Sequence, residues 1–322
     1  MDRPGPALTA LRAKVAGFAA TWLGDAEEWC VALSGGPDSL ALTAAAALVR
    51  PTTALIVDHG LQSASAQVAE TARGQALRLG CVAATVLRVE VGTGGGPEAA
   101  ARSARYAALQ GARGEAPVLL AHTLDDQAET VLLGLGRGSG ARSIAGMRPG
   151  DPPWFRPLLD VRRRTTHEVC AEAGLQVWDD PHNIDPRFTR VRLRTEVLPL
   201  LEDVLGGGVA EALARTATAL REDTEALDAL ARDALTRAAP APEGLAVAEI
   251  SELPDALRRR VIRLWLQSGG AIGLTDLQIR SVDALVTVWR GQGGVAIGCR
   301  RPRTRLFAER CGGVLGLRAG PV

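Results

Sequence analysis

An α/β fold is what this sequence predicts: a doubly wound parallel sheet followed by a second, smaller, mainly helical α+β domain. Three observations carry that expectation. Short apolar runs that end in polar clusters alternate with helical patterns through residues 29–130, the rhythm of successive β-α units. One of those junctions holds Ser34-Gly35-Gly36-Pro37-Asp38-Ser39, small and polar between an apolar run and a helix. Gly206-Gly207-Gly208 then breaks the chain, and beyond it helices are followed by three short strand-like runs. A chain of 322 residues exceeds the usual single domain. The expected division is therefore residues 1–206 for the large domain, 207–245 for a linker helix and 246–322 for the small domain.

Each element has its own signal. Leu8, Leu11, Val15, Phe18, Ala19 and Trp22 recur at helical spacing and predict an amphipathic helix over residues 6–22 that covers the sheet. After the glycine-rich junction, an alanine-rich helix over 39–49 stops at Arg50-Pro51, and Thr53–Val57 reads as a buried strand ending in Asp58-His59-Gly60-Leu61. A helix over 64–79 ends at Gly80, and a strand follows at 84–89. The break from Gly92 to Pro97 precedes a helix that places Glu98, Arg102 and Arg105 on one face. The strand at 117–121 runs into His122-Thr123-Leu124-Asp125-Asp126-Gln127-Ala128-Glu129-Thr130, which opens another helix. Arg137-Gly138-Ser139-Gly140-Ala141-Arg142 is a basic turn, and Arg162-Arg163-Arg164 opens a further helix. Residues 178–194 form an irregular loop that becomes basic at Arg187, Arg190, Arg192 and Arg194. One long amphipathic helix over 209–238 ends at Ala239-Pro240-Ala241-Pro242. Helices at 254–267 and 274–289 and strands near 295–299, 304–308 and 314–317 complete the small domain.

The chemistry concentrates at the strand ends. Glycines at 35 and 36 let main-chain N–H groups approach a ligand, and Ser34 and Ser39 add hydroxyls at the start of a helix, so this loop suits an anion. It has no lysine and lacks both the G-x-x-x-x-G-K-[ST] and the G-x-G-x-x-G spacing. A carboxylate beside phosphates, Asp38, makes sense with a bridging Mg²⁺. In a parallel sheet the residues just past the strands line the ligand crevice, which places Asp58, His59 and the cluster from His122 to Glu129 there. Three carboxylates at one helix start exceed what capping needs and suit a cationic ligand or a metal.

Composition excludes several classes. Apolar residues at 47% and charged residues at 23% are ordinary for a globular chain, and no eighteen-residue apolar run predicts a membrane span. The start, Met1-Asp2-Arg3-Pro4-Gly5, lacks the pattern of a secretory signal, so a cytoplasmic location is expected. Five cysteines without a C-x-x-C pair argue against a disulfide framework and a zinc ribbon. The net charge is +1, with Lys14 the sole lysine, and the arginines are clustered rather than spread. Arg137 and Arg142, Arg187 to Arg194, and Arg258 to Arg263 together predict a discontinuous basic track for a phosphate backbone.

The hexapeptide at Ser34 resembles the S-G-G-x-D-S signature of the PP-loop ATP pyrophosphatases, with the adenine nucleotide α-hydrolase-like fold that this implies. Taken with Val57-Asp58-His59-Gly60-Leu61, the Glu98 to Tyr106 segment, Ala121 to Thr130, Arg137-Gly138-Ser139-Gly140, Arg156-Pro157-Leu158-Leu159-Asp160, and Phe188 to Leu201, it is similar to the bacterial tRNA(Ile)-lysidine synthases. That resemblance covers residues 30–202, and more weakly the part from 246 onward. It implies a ligase that uses ATP to adenylate C2 of the wobble cytidine, position 34, in the CAU-anticodon isoleucine tRNA. Free L-lysine then displaces AMP to give lysidine. It further implies that Ser34, Gly35, Gly36, Pro37, Asp38 and Ser39 hold ATP, with Asp38 on Mg²⁺, and that Asp58 and His59 sit near adenine or ribose. Asp126 and Glu129 would take the lysine amine. His122, with Arg102 or Arg105, would hold the cytosine or stabilise the α-phosphate, and Arg137, Arg142, Arg190, Arg192 and Arg194 would contact the tRNA. A homodimer is one option for the assembly, and a membrane is not a partner.

Three departures from that family qualify the resemblance. Thr123 stands where many members have a second His, Val191 where an Asn is common, and the sequence ends soon after the first C-terminal domain. Two other readings compete. A PP-loop tRNA thiolase would want paired cysteines, which are absent here; a non-catalytic ATP- and tRNA-binding protein would not need the carboxylates at 125–129.

Overall fold

The computed structural model describes residues 4–24, 26–60, 64–92, 96–138, 140–239, 244–301 and 303–321. Leu61, Thr93, Gly94, Gly95, Ser139 and Pro240 to Pro242, all part of the expectations above, lie outside the described residues, as do the side chains of Pro97, Glu98 and His182. The chain divides into two compact units, Met1–Ala219 and Leu220–Val322.

In the first unit, strands β1 (Trp29–Ala32), β2 (Thr52–Asp58), β3 (Ala83–Arg88), β4 (Val118–Leu119), β5 (Gly150–Asp151) and β6 (Trp154–Phe155) form one sheet in the order β3-β2-β1-β4-β6-β5. All pairings are parallel except β5 with β6. The order reverses between β1 and β4, because the chain winds outward from β1 through β2 to β3 and then returns to the other side. The loops after β1 and β4 therefore part from each other and leave a crevice at the strand ends.

Helix α1 (Pro6–Trp22) buries Leu8, Leu11, Val15 and Ala19 of the face its spacing predicts, while Phe18 is half-buried and Trp22 is exposed. Helix α2 (Pro37–Ala47) is buried from Ser39 to Ala46, packed between α1 and α7 (Arg163–Glu172) on one face of the sheet. That burial accounts for its alanines, since a helix enclosed on all sides leaves no room for longer side chains. Helices α3 (Ser65–Arg78), α4 (Pro97–Ala112), α5 (Leu124–Gly136) and the short α6 (Ala141–Ile144) complete the β-α alternation. After a 3₁₀ turn at Pro181–Asn183, the basic segment is α8 (Thr189–Arg192), a π-helical turn (Leu193–Val197) and α9 (Leu198–Val204).

Helix α10 (Val209–Ala238) runs across the division between the units, so the boundary lies inside it and not at the glycine triplet. The reason is local. Gly206, Gly207 and Gly208 take positive φ in a tight turn, and the Glu202 carboxylate accepts the N–H groups of Val209 (3.0 Å) and Ala210 (3.1 Å). The start of α10 is thereby tied to the first unit.

The second unit is α+β. Strand β7 (Gly244–Ala246), helices α11 (Val247–Ser251), α12 (Asp255–Ser268) and α13 (Asp276–Thr287), and strands β8 (Val295–Gly298), β9 (Thr304–Cys311) and β10 (Val314–Pro321) follow in order. The four strands form an antiparallel sheet, β7-β10-β9-β8, whose inner face packs Leu245, Leu306, Ala308 and Leu315 with Val261, Trp265, Ile279 and Val282 of the helices. The three C-terminal strands match the sequence expectation; the three-residue β7 is too short to leave a periodic signal.

Candidate active site

The loop after β1 is built around Gly35, whose φ of +86° is a conformation that a side chain would strain. Gly36, in contrast, has ordinary extended angles, so only the first glycine is required by the backbone. Gly36 is the N-cap of α2 and Pro37 its first residue, where the missing N–H costs nothing. The Ser39 hydroxyl lies 3.1 Å from that of Ser34 and donates to the Gly36 carbonyl (2.9 Å), which folds the loop back over the helix start. The first-turn N–H groups of α2 have no acceptor within the helix and point into the crevice with its positive dipole end. Trp178 closes the loop from above, its N–H on the Gly35 carbonyl (2.9 Å).

This loop forms one wall of a cavity of about 370 Å³, whose other walls include Asp58, His59, Ser65, Arg105 and Trp178. The volume suits a nucleotide. The Asp58 carboxylate accepts the Gly60 N–H (3.0 Å), and that bond with the Ser65 hydroxyl holds its pKa below the usual range. Burial, together with Arg105, pushes His59 below the ordinary imidazole value, and its Nδ1 is buried without a partner. Of the two arginines on α4, it is Arg105 that lines the cavity; Arg102 is exposed and lies over the Tyr106 ring at 5.0 Å.

The carboxylates after β4 do more than one job. Thr123 caps α5 and receives the Asp126 N–H, while Asp126 accepts the Thr123 N–H (2.8 Å) in return, a reciprocal capping box. Asp125 turns the other way and accepts the Arg163 N–H (2.7 Å) at the start of α7. Asp125 is thus a helix cap, and two of the three carboxylates remain for the site. Both converge on a residue that the sequence reading passed over. The Arg163 guanidinium meets Asp126 (2.6 Å), Asp38 (3.4 Å) and Glu129 (3.4 Å), and so links the loop after β1 to the helix after β4. No spacing signals this, because Arg163 and its partners come from three different helices, α7, α2 and α5.

These charges hold one another in place. Burial raises the Asp38 pKa, opposed by a hydrogen bond from Thr166 and by Arg163. For Asp126 burial works upward too, yet Arg163 and the Thr123 N–H outweigh it and its pKa is lowered. His122 is held far below its ordinary value by burial first, and its Nδ1 is also buried and unpartnered. A neutral imidazole with a free ring nitrogen is therefore presented beside Asp126.

Glu129 is fully buried and bound by Arg194 (2.8 Å) and Arg190 (3.6 Å) as well as by Arg163. Arg190 and Arg194 are one helical turn apart and share a face; Arg192 lies on the other face and pairs with Glu196 (2.8 Å). Of the three arginines expected to contact the tRNA, Arg190 and Arg194 thus turn to Glu129, and Arg192 alone lies on the outer face. Beyond Glu129 a second cavity, of about 130 Å³, is lined by Asp125, Arg162, Arg163, Arg194, Leu198 and Glu202 among others. Arg137 and Arg142 are exposed around the turn after α5. The arginines of α12 are corrected as well: Arg258 and Arg259 bond Asp283 (2.6 and 2.9 Å), and Arg260 bonds Asp228 (2.9 Å). These three stabilise the second unit and are not available to a ligand.

The thiols of Cys30, Cys81 and Cys170 are buried, which pushes each up to about 11 and leaves them unreactive. No group of three or more metal-binding side chains lies together among the described residues. Nor is any described helix long and apolar enough to cross a membrane.

A parallel sheet with a glycine-serine anion loop at its switch point, facing a nucleotide-sized cavity, defines a nucleotide-binding domain of the PP-loop class. Residues 8–201 match the family described as PP-loop domain, and residues 245–307 match that described as TilS substrate binding domain. The tRNA(Ile)-lysidine synthase of Mycolicibacterium paratuberculosis is 69% identical over 100% of both chains. That of Nocardia farcinica is 62% identical over 96% of this chain and 97% of its own. The chain belongs to the tRNA(Ile)-lysidine synthase family. Among solved structures, a U34-tRNA thiolase from Methanococcus maripaludis has a TM-score of 0.55 at 16% identity, covering 67% of this chain and 80% of its own, which is a likeness of fold.

Proposed function

We propose that this protein is an ATP-dependent carbon–nitrogen ligase that makes lysidine at the wobble cytidine of the CAU-anticodon isoleucine tRNA. ATP adenylates the C2 oxygen and pyrophosphate leaves; the ε-amine of free L-lysine then attacks C2 and AMP leaves. The observation that carries this reading is the junction at Arg163. It joins a phosphate-binding loop, through Asp38, to two carboxylates suited to an ammonium, Asp126 and Glu129.

Each role follows from position. Ser34, Gly36, Ser39 and the N-terminal N–H groups of α2 hold the leaving pyrophosphate, while Asp58 and His59 take adenine or ribose in the larger cavity. A single carboxylate, partly buried at a phosphate site and raised in pKa by that burial, fits a Mg²⁺ shared with nucleotide oxygens, so Asp38 would hold it. When bound, Mg²⁺ supplies neutralisation of the pyrophosphate charge. Arg105, from the cavity wall, neutralises charge at the α-phosphate. Neutral His122 offers its unpartnered nitrogen to the cytosine edge. The smaller cavity beyond Glu129 carries both guanidinium and carboxylate groups, which matches the two charged ends of free lysine. Lysine's ammonium would compete with Arg163 for Asp126 and Glu129. In-line attack then needs positioning and charge neutralisation and no covalent help from the protein.

The test is direct. The protein is incubated with ATP, Mg²⁺, labelled lysine and total tRNA, and the RNA is digested to nucleosides. Label on a cytidine-derived nucleoside from isoleucine tRNA is the expected result; label elsewhere, or pyrophosphate release without lysine transfer, contradicts the reading.

A further inference from the structure

We infer that Arg156, just past the end of β6, binds an oxygen of the phosphodiester beside the target cytidine, so that the RNA backbone enters the crevice on its β6 side and ATP on its β2 side. The inference deepens the proposed function and rests on it for the identity of the RNA. Arg156-Pro157-Leu158-Leu159-Asp160 stands out in the sequence, and the pyrophosphate, nucleotide and lysine contacts leave its first residue unused. Two arginines of the described residues are buried, Arg156 at 8% exposure and Arg258 at 5%. Arg258 meets two carboxylates, Asp283 (2.6 Å) and Asp255 (2.7 Å). Arg156 meets none among the described residues; its Nη1 donates to the Arg148 carbonyl (3.0 Å), and its Nε is buried without a partner. A guanidinium taken out of water without a counter-ion is costly, so this one is poised for an anion that arrives with the substrate.

The order of the sheet shows which anion. The nucleotide cavity is walled by Ser34, Asp58 and His59, at the ends of β1 and β2, and by Arg105; His122 follows β4 and Arg156 follows β6. Neighbouring strands stand about 4.8 Å apart, which puts β6 about 10 Å from β1. Leu119 pairs with Phe155, and the Leu120 N–H extends that pairing to the Phe155 carbonyl (2.7 Å). Leu120 and Trp154 pack in one cluster, and the residues two further on, His122 and Arg156, return to that side of the sheet. Their proximity shows in the charges that act on His122: Asp126 raises its pKa, while Arg156, Arg105 and Arg102 lower it. Asp126 is already bound by Arg163 (2.6 Å). Three guanidiniums therefore act on an unpartnered imidazole against one carboxylate that is already taken. Arg105 borders the nucleotide cavity and Arg156 does not. With the cytosine edge on His122, a base drawn out of its stack brings its own phosphodiester along, on the side away from ATP. A guanidinium held by a carbonyl at one end keeps its Nε edge for such an oxygen.

The experiment follows binding of the full-length protein to isoleucine tRNA by fluorescence anisotropy. An uncharged methylphosphonate replaces, in turn, the phosphodiester on either side of the target cytidine, and tRNA with the same 2′-deoxy sugar and an ordinary phosphate is the reference. At one of the two positions the wild-type protein is expected to lose about tenfold in affinity, the value of one charge-assisted contact. Arg156→Gln is expected to lose about tenfold on the reference tRNA and no more than about twofold further on that methylphosphonate, because both changes remove the same contact. Its ATP affinity stays within about twofold of wild type. Indifference of the wild-type protein to both methylphosphonates overturns the inference whether or not the variant folds. So do losses that multiply in full, which would leave Arg156 as a tether for the Arg148 carbonyl. A tenfold loss of ATP affinity in a variant that still responds to the methylphosphonate overturns it too, and places Arg156 on the α-phosphate. The labelled-lysine reaction with wild-type protein and unaltered tRNA separates the two readings. Lysine transfer alongside indifferent methylphosphonates sinks the contact alone, whereas coupled losses without lysine transfer sink the ligase reading alone.

Discussion

Two buried carboxylates in this molecule, Glu129 in the first unit and Asp283 in the second, are held by arginines in nearly the same way and differ in what lies behind them. Arg258 bonds Asp283, Asp255 and the carbonyls of Leu253 and Ser251, so that its donors are spent within the unit. Arg163, Arg190 and Arg194 surround Glu129 at the wall of the smaller cavity, and Arg163 also holds Asp126, beside which the His122 Nδ1 has no partner. The same charge chemistry is therefore closed in one place and open in the other. An ion-pair network is structural when its donors are exhausted internally, and becomes a site when unsatisfied groups and space adjoin it.

Four substitutions test that contrast, from the largest effect to the smallest. Arg258→Ala removes one of the two arginines that hold buried Asp283, leaving Arg259, and should cost about 3 kcal/mol of stability, while the turnover of the folded fraction stays unchanged. Urea unfolding with activity measured on the same sample checks both halves, and a loss of turnover without destabilisation would erase the distinction. Asp38→Ala should do the reverse: normal unfolding, with pyrophosphate release slowed about 10²- to 10³-fold. Glu129→Gln should leave adenylation of tRNA in place and raise the lysine concentration for half-maximal rate about tenfold, the value of one charge-assisted contact of roughly 1.4 kcal/mol. Failure of that variant to bind ATP would instead make the cluster part of the nucleotide site.

The smallest effect is a slope. Burial holds His122 at about 3, far below the ordinary 6.5, although Asp126 opposes it. Above pH 6.5 the imidazole is neutral in folded and unfolded chains alike. Below it, the unfolded chain takes up a proton that the fold refuses, and stability is lost at up to about 1.4 kcal/mol per pH unit until the folded value is reached. His122→Asn should flatten the stability profile between pH 6.5 and 5 by about that amount. Parallel profiles for the two proteins would mean that His122 is solvated.

The sequence made the open network partly visible and the closed one hardly at all. Ser34 to Ser39 could be read because glycine, serine and aspartate after an apolar run have few other uses. Asp126 and Glu129 could be read because they sit just past a strand on one helix face. Arg163 could not, since its partners Asp38 and Glu129 are brought to it by helix packing, which has no signature in local spacing. Arg258 to Arg260 misled for the same reason: a cluster of cations looks like a binding track until α13 supplies Asp283. Arg190, Arg192 and Arg194 do fall on more than one helix face, as their spacing implies, but that spacing could not show that Glu129 draws Arg190 and Arg194 inward.

The π-helical turn at Leu193–Val197 gives this arrangement an unexpected vulnerability. A π turn is an α-helix with one extra residue accommodated in its winding. Arg190 before the turn and Arg194 at its start are aimed at Glu129; on its C-terminal side Leu198 packs with Leu124, Ala128 and Ala210. Losing a single residue within the turn would restore regular winding and rotate one half about 100° against the other. The arginines and Leu198 could then no longer both reach their partners. This short stretch tolerates changes of side chain far better than changes of length, the opposite of what its place among irregular loops suggests.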